Sequence, residues 1–365
     1  MATPTTGSTP GSARSSTPGS ARSSTSGTTS APTIAQIARE VGVSVPTVSK
    51  VLNGRSDVAP ATRSRVEEAL ERHQYRRRRP GTKHAGAGAV DLVFHQLGSP
   101  WAMEIIQGVE ATLCEARTSL VLSELGGEHR PTRAWLDATL ARPPLGVLLV
   151  ASRLTDTQQH QLASRSIPFV VIDTDGEPPP DVPTVGSDNW TGGLAATRHL
   201  VELGHRRIAA ISGPADMLCS RARIDGYRSA LEAGGIAFDP ALVDAGNFYV
   251  EPGYLAARRQ LTLPDPPTAI FAGSDMQAFG VLKAVQELGL RVPDDVSIVG
   301  YDDLPLAQWT APALTTVRQP LREMASAATR MLLALAAGTP PAMTRVNLGT
   351  DLIVRESTAP PRTAR

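Results

Sequence analysis

The chain has 365 residues, 41% of them hydrophobic, and a formal net charge of +1. That length predicts two or three domains with a sizeable buried core, and no apolar run approaches the roughly 18 residues of a membrane span. The charge is lopsided: residues 1–84 carry 13 Lys and Arg against 5 Asp and Glu, leaving 23 basic and 30 acidic residues in the remainder, which points to one module that meets phosphates and another that does not.

Residues 1–31 are rich in Ser, Thr, Pro and Gly and repeat the octapeptide TPGSARSS at 9–16 and 17–24. Such a segment buries too little apolar surface to offset its ordering entropy, so disorder is expected. It has no apolar h-region of a signal peptide. The two cysteines, Cys114 and Cys219, lie far apart without metal-ligand spacing. Both are expected as small buried side chains in a reducing cytoplasm, and neither a metal nor a cofactor is implied.

Two short helical patterns follow in TIAQIAREVGVSVPTVSKVLN, residues 33–53. Ile34, Ile37, Ala38 and Val41 recur at helical spacing, as do Val48, Val51 and Leu52. Thr33 and Ser44 are the expected caps. A small residue at Ala38, a turn glycine at Gly42 and an aliphatic at Val48 give the spacing of a helix-turn-helix, whose second helix enters the DNA major groove. Pro60 opens a third helix with Val66, Ala69, Leu70 and Tyr75 on its apolar stripe, which makes 32–75 a small DNA-binding bundle. Residues 76–89 read as a basic, Gly- and Arg-rich linker.

From Val90 onward short apolar strands alternate with amphipathic helices. Strands are expected at 90–94, 147–150, 169–173, 208–212, 269–272 and 297–301, and helices at 101–117, 192–203, 220–233 and 276–288. A parallel sheet with helices on both faces satisfies this order, and ligands in such folds sit beyond the carboxyl ends of strands. Asp173, the pair Ser274-Asp275 and the pair Asp302-Asp303 fall there.

The chain from 33 to about 357 resembles the LacI-type repressor family. The likeness rests on TVSKVLNG (47–54), DNWTGGLAATRHLVELGHRRIA (188–209), SRARIDGY (220–227), TAIFAGSDMQAFG (268–280), RVPDDVSIVGYDD (291–303) and LTTVRQP (314–320). The resemblance implies an all-α helix-turn-helix DNA-binding head and an α/β effector domain of two periplasmic-binding-protein-like lobes over 90–357. Crossings between lobes are implied near 186, 316 and 344, with a flexible C-terminus at 358–365. It also implies a homodimer that reads near-palindromic double-stranded operator DNA, located in the cytoplasm and on the bacterial nucleoid when operator-bound.

By the same resemblance Val45 and Pro46 choose bases, Thr47, Ser49 and Lys50 reach base edges or phosphates, and Asn53 contacts phosphate or sugar. Family members usually carry a hinge helix whose leucine wedges into the minor groove. Here 76–89 holds no leucine, so Arg76, Arg77, Arg78 and Arg79 are expected to engage a narrow groove electrostatically instead. The implied effector positions are Trp101, Asp173, Arg223, Phe248, Ser274 and Asp302. Carboxylates, a guanidinium and aromatic faces suit a sugar or oligosaccharide, although Arg223 also suits a purine or an anion. Asp173 and Asp302 have an alternative reading as helix caps, and Trp101 and Phe248 as core packing; Asp188, Asn189 and Asp275 read as caps, and Trp190 and Trp309 have no assigned role. Ser274 stands where many relatives have Asn. Two other function classes compete with an effector-controlled repressor. A transporter's solute-binding protein would need a signal peptide and no helix-turn-helix. An enzyme would need a nucleophile elbow, a phosphate-cradling loop or metal-spaced histidines, none of which is present.

Overall fold

A computed structural model describes residues 33–52, 58–73, 88–126, 130–174, 176–339 and 341–362. The chain divides into two compact units, Met1–Lys83 and His84–Arg365. The first holds α1 (Ile34–Val41), α2 (Val45–Leu52) and α3 (Pro60–Arg72). Thr33 and Gln36 form a reciprocal capping box at the start of α1, which satisfies two orphan N–H groups at once. Gly42 ends α1 with φ 71°, a left-handed value that a Cβ would strain. Ser44 accepts the Thr47 amide at 3.3 Å at the entry to α2. Ile37, Ala38, Val41, Val48, Val51, Val58, Val66 and Ala69 form the core between the three helices. Tyr75 lies outside the described residues.

The second unit begins with β1 (Ala89–Phe94), α4 (Pro100–Glu115), β2 (Ser119–Glu124), α5 (Arg133–Ala141), β3 (Gly146–Val150), α6 (Asp156–Ser164), β4 (Phe169–Ile172) and β5 (Thr184–Ser187). It continues with α7 (Asn189–Glu202), β6 (Ile208–Ser212), α8 (Leu218–Ala233), β7 (Val243–Ala245), α9 (Val250–Leu261), β8 (Ala269–Ala272), α10 (Asp275–Glu287) and β9 (Ser297–Asp302). β10 (Thr315–Arg318), α11 (Leu321–Ala336), β11 (Arg345–Leu348) and β12 (Asp351–Ile353) complete it. Two six-stranded sheets result, ordered β11-β5-β4-β3-β1-β2 and β12-β10-β9-β8-β6-β7. Every described pairing is parallel except β10 with β12. Along the central strands successive residues enter opposite cores. Leu92, Phe94, Leu148 and Val150 face α4 and α11, whereas Val93, Val147 and Leu149 face α5 and α6. The second sheet divides likewise, Ile211, Ile270 and Ile298 on one side and Ala210, Phe271 and Val299 on the other. With both faces covered, these strands read as unbroken apolar runs.

The chain passes between the sheets three times. β5 precedes α7 across Asp188, β10 precedes α11 across Gln319, and β11 precedes β12 between Leu348 and Asp351, each a few residues beyond 186, 316 and 344. Three sequence expectations need correction. The linker's last residue, Ala89, already pairs with Ser119 in the first sheet. Cys114 is exposed, because the buried stripe of α4 runs through Ala102, Ile105, Val109, Thr112 and Leu113 and leaves position 114 off it. The segment after 357 is tied down as far as 362. The carbonyl of Ala359 accepts from His205 Nε2 at 2.9 Å, its amide donates to Ser297 Oγ at 3.0 Å, and Arg362 pairs with Asp295 at 3.1 Å. A carbonyl can only accept, so His205 carries its proton on Nε2. Burial lowers the pKa of that imidazole.

Candidate functional site

In the first unit α2 turns Val48 and Val51 into the core and leaves Val45, Pro46 and Lys50 exposed, with Thr47 and Ser49 half-buried. The Thr47 and Ser44 hydroxyls bond each other at 2.8 Å. Val45, Pro46, Ser49 and Lys50 therefore share the outward face; Val45 and Pro46 open α2, where exposed N–H groups and the positive pole of the dipole favour phosphate, whereas Lys50 lies in its last turn. Asn53, Arg76, Arg77, Arg78 and Arg79 lie outside the described residues.

In the second unit the carboxyl ends of the two sheets enclose a cavity of about 260 Å³. All six residues proposed from the sequence line it: Trp101 from α4, Asp173 after β4, Arg223 on α8, Phe248 before α9, Ser274 before α10 and Asp302 at the end of β9. Backbone strain is concentrated here. Ala151, Asp173, Phe248 and Asp302, all lining residues, have φ of 49°, 48°, 69° and 116°. Non-glycine residues rarely occupy this region, and it persists where surrounding structure over-determines it. Asp173 and Asp302 line the cleft from strand ends, and Asp302 also accepts the backbone N–H of Asp275 at the start of α10, so its alternative reading as a helix cap holds beside the cleft position.

Arg223 is 4% exposed. Its Nε donates to Asn189 Oδ1 at 2.8 Å and its Nη1 to the Gly273 carbonyl at 2.5 Å. The guanidinium lies 3.7 Å from the Tyr301 ring centroid, 5.3 Å from that of Phe248 and 3.9 Å from Asp302 Oδ1. Burial opposes the guanidinium's charge, but Tyr301, Cys219, Asp302 and Asp173 together raise its proton affinity. It is a fixed cation stacked between two rings. Tight packing of α7 on α8 sets its place. A Cβ on Gly193 would fall 2.2 Å from the Arg223 carbonyl oxygen, and one on Gly226 would fall 2.2 Å from that of Trp190.

The two carboxyls differ in their support. Asp302 accepts from Gln319 Nε2 at 2.6 Å, and Gln319 Oε1 accepts from Ser187 Oγ at 2.6 Å. This chain links the cavity floor to two of the three crossings. Burial pushes Asp302 up to about 7 against the pull of Arg223 and Gln319. Asp173 is pushed up to about 6 by burial, opposed by Arg223 alone. Asp275 does not cap α10; that role belongs to Ser274, which accepts from the Gln277 amide at 3.1 Å. The buried Asp275 carboxylate instead accepts from the Leu304 amide at 2.7 Å and Thr316 Oγ1 at 2.5 Å. Ser274 donates to the Phe248 carbonyl at 3.0 Å, so its hydroxyl proton is already used and only a lone pair remains for a ligand. Asp188 caps α7. Across the cleft Tyr249 donates to Gln96 Oε1 at 2.7 Å. Asn189, Tyr301 and Gln319 were missed as positioning residues, and no periodicity marks them. Among the described residues no cluster of three or more His, Cys, Asp or Glu side chains could hold a metal ion.

The fold and the cleft define a two-lobed α/β ligand-binding protein, and the first unit supplies a helix-turn-helix. Residues 33–78 match the family model "Bacterial regulatory proteins, lacI family", and residues 197–358 match a periplasmic binding protein-like domain. Over 331 residues the chain is 33% identical to the HTH-type transcriptional repressor CytR of Escherichia coli K12, spanning 90% of this chain and 97% of that one. It is 35% identical to the transcriptional regulator CelR of Thermobifida fusca over 336 residues, 89% and 98% of the two chains. Among solved structures, the CelR–cellobiose complex matches with a TM-score of 0.68 at 36% identity, covering 89% of this chain and 99% of that one. The lac repressor dimer bound to operator and the anti-inducer ONPF matches with a TM-score of 0.65 at 26% identity, covering 90% and 100%. The chain belongs to the LacI family of bacterial regulatory proteins. It is a DNA-binding transcriptional regulator controlled by a small molecule held between two lobes. Its relatives are regulators rather than enzymes, and it is not a transporter's binding protein.

Proposed function

We propose that this regulator represses transcription as a homodimer on a near-palindromic operator, and that a neutral sugar in the 260 Å³ cavity controls its grip. The observation that carries the ligand reading is the floor of the cavity: one fixed guanidinium, two buried carboxyls and apolar walls from Trp101, Phe248, Met217 and Met276. Ionised Asp173 and Asp302 accept hydroxyl protons, Arg223 donates to hydroxyl oxygens, and the rings cover the C–H face of a pyranose. An anionic effector meets two carboxyls for one cation, which weighs against it. The similarity to CelR, solved with cellobiose, supports the same class. Because Arg223 also suits a purine, nucleobases make the comparison arm.

On DNA, Val45 and Pro46 contact bases through apolar surface, Ser49 and Lys50 reach base edges or phosphates, and Thr47 supports the turn. Asn53 and Arg76–Arg79 add backbone and narrow-groove contacts. A sugar that favours one lobe orientation changes the spacing of the paired heads. On this reading the protein acts in the cytoplasm, on the nucleoid when operator-bound. The test is a thermal-shift series with monosaccharides, oligosaccharides and nucleobases. Sugars are expected to raise the midpoint. Arg223→Lys, which keeps the charge but loses the planar fork, is expected to lose that shift and keep operator binding. Stabilisation by nucleobases alone would sink the sugar reading.

A further inference from the structure

Trp190, left without a role by the sequence, is 43% exposed on the first turn of α7. It borders a second cavity of about 310 Å³ on the hinge side of the cleft. The two cavities share Asp173 and Cys219 in their walls. Cys219 has its thiol pushed up to about 11 by burial, so it is a packing group there rather than a nucleophile. Asp173 is the connecting polar group. It is 8% exposed, and no donor among the described residues bonds its carboxylate, which has only the nearby charge of Arg223 to oppose its burial. Gly186 keeps this carboxylate open to the second cavity, since a Cβ there would lie 3.4 Å from Asp173 Oδ1 and 3.2 Å from Asn347 Oδ1.

The rest of the second cavity has a matching chemistry. Trp190 and the 39%-exposed Leu218 give an apolar wall at its mouth, and Asn347, Asp188 and Thr174 supply neutral and acidic acceptors and donors. Its one guanidinium, Arg345, already donates to the Pro178 carbonyl at 2.6 Å. An aromatic face beside amide, hydroxyl and carboxylate groups suits a neutral polyol ring better than a phosphate. Each cavity alone sits near the lower end of the roughly 300–1,000 Å³ of ligand clefts.

We propose that the cavity bounded by Trp190, Asp173 and Asn347 is a second subsite, which takes the second ring of a neutral disaccharide or longer oligosaccharide whose first ring lies over Arg223. This rests on the sugar reading given above. In that pose Asp173 accepts hydroxyls from both rings, and Trp190 stacks on the outer one. Trp190, Asp188 and Asn347 flank the first and third crossings, so the outer ring contacts the segments that bend when the lobes move.

The test is calorimetric titration of the full chain with glucose, xylose, cellobiose, maltose and xylobiose. A disaccharide is expected to bind about tenfold tighter than its monosaccharide, the gain of one aromatic stacking partner. Trp190→Ala is expected to remove that gain and leave the monosaccharide unchanged, and Trp190→Phe to restore most of it. Exposure of the indole lets the alanine variant fold, which its melting curve checks. Equal binding of both ring numbers by the wild type, or an unchanged disaccharide affinity in Trp190→Ala, overturns the subsite. If a monosaccharide binds and Arg223→Lys abolishes it, the sugar reading survives that failure; if no sugar binds, both fall together.

Discussion

Effector affinity should depend on pH, because the two carboxyls proposed to hold the ligand keep their protons unusually long. Burial pushes Asp173 from its ordinary 3.8 up to about 6, and Asp302 to about 7. The proposed contacts use ionised carboxylates that accept hydrogen bonds from sugar hydroxyls, so binding below these values must expel protons. For Asp173 alone, lowering the pH from 8 to 5 costs one pKa unit, or about 1.4 kcal/mol and about tenfold in affinity. If Asp302 must also ionise, its higher value makes the loss steeper. Titration calorimetry at pH 5, 6, 7 and 8, in buffers of different ionisation enthalpy, counts the protons released. Asp173→Asn should flatten the lower part of the profile. The free protein should show the matching stability trend. Below pH 3.8 both folded and unfolded Asp173 are protonated. Between 3.8 and about 6 only the unfolded chain ionises, so stability falls as pH rises, by about 3 kcal/mol in all from this group, and then levels off. Binding that is flat from pH 5 to 8, with no proton exchange, would refute the assignment of these carboxyls to the ligand.

Gly193→Ala should lower the melting midpoint by several degrees. Its Cβ would meet the Arg223 carbonyl oxygen at 2.2 Å, and forced overpacking against backbone costs about 1–3 kcal/mol; an unchanged midpoint would show that α7 and α8 can separate freely. Gln319→Ala removes a 2.6 Å donor from Asp302, so Asp302 should hold its proton to higher pH and the upper part of the binding profile should move up. A profile that stays put would show that Gln319 does not position Asp302. Lys50→Ala should weaken specific and non-specific DNA alike and reduce the slope of log affinity against log salt by about one; gel-shift titrations at several salt concentrations measure this, and an unchanged slope would remove Lys50 from the phosphate contacts.

The elements most legible in the sequence were those whose signals are local. The Thr33 cap, the Gly42 turn and the apolar spacing of α1 and α2 lie within 20 residues, and the central strands stand out because both faces are buried. β2 was not legible, since its solvent-facing residues break the apolar run, nor were the short edge strands β7, β11 and β12, nor β5 and β10 beside them, whose four residues mix Thr, Ser, Gly or Arg with a single Val. In the cleft, Asp173 and Asp302 were visible as acids at strand ends. Their environment was not. Asn189 meets Arg223 across 34 positions, and Gln319 meets Ser187 across 132, so only packing of α7 on α8 and the path of the crossings reveal them. The positive φ values of Ala151, Phe248 and Asp302 are likewise set by tertiary structure, as none of these residues favours that conformation on its own.

The central claim joins the two units: a DNA reader whose affinity is set by a ligand in the cleft. The most direct measurement selects DNA sites from a genomic library with the full chain, then titrates the selected site by fluorescence anisotropy with and without the sugar that most raises the melting midpoint. The expected result is a near-palindromic site bound at least about a thousandfold tighter than random DNA, with an affinity that changes on adding sugar in the wild type and stays constant in Arg223→Lys. Selection of no preferred sequence, or a site whose affinity no stabilising ligand alters, would contradict it.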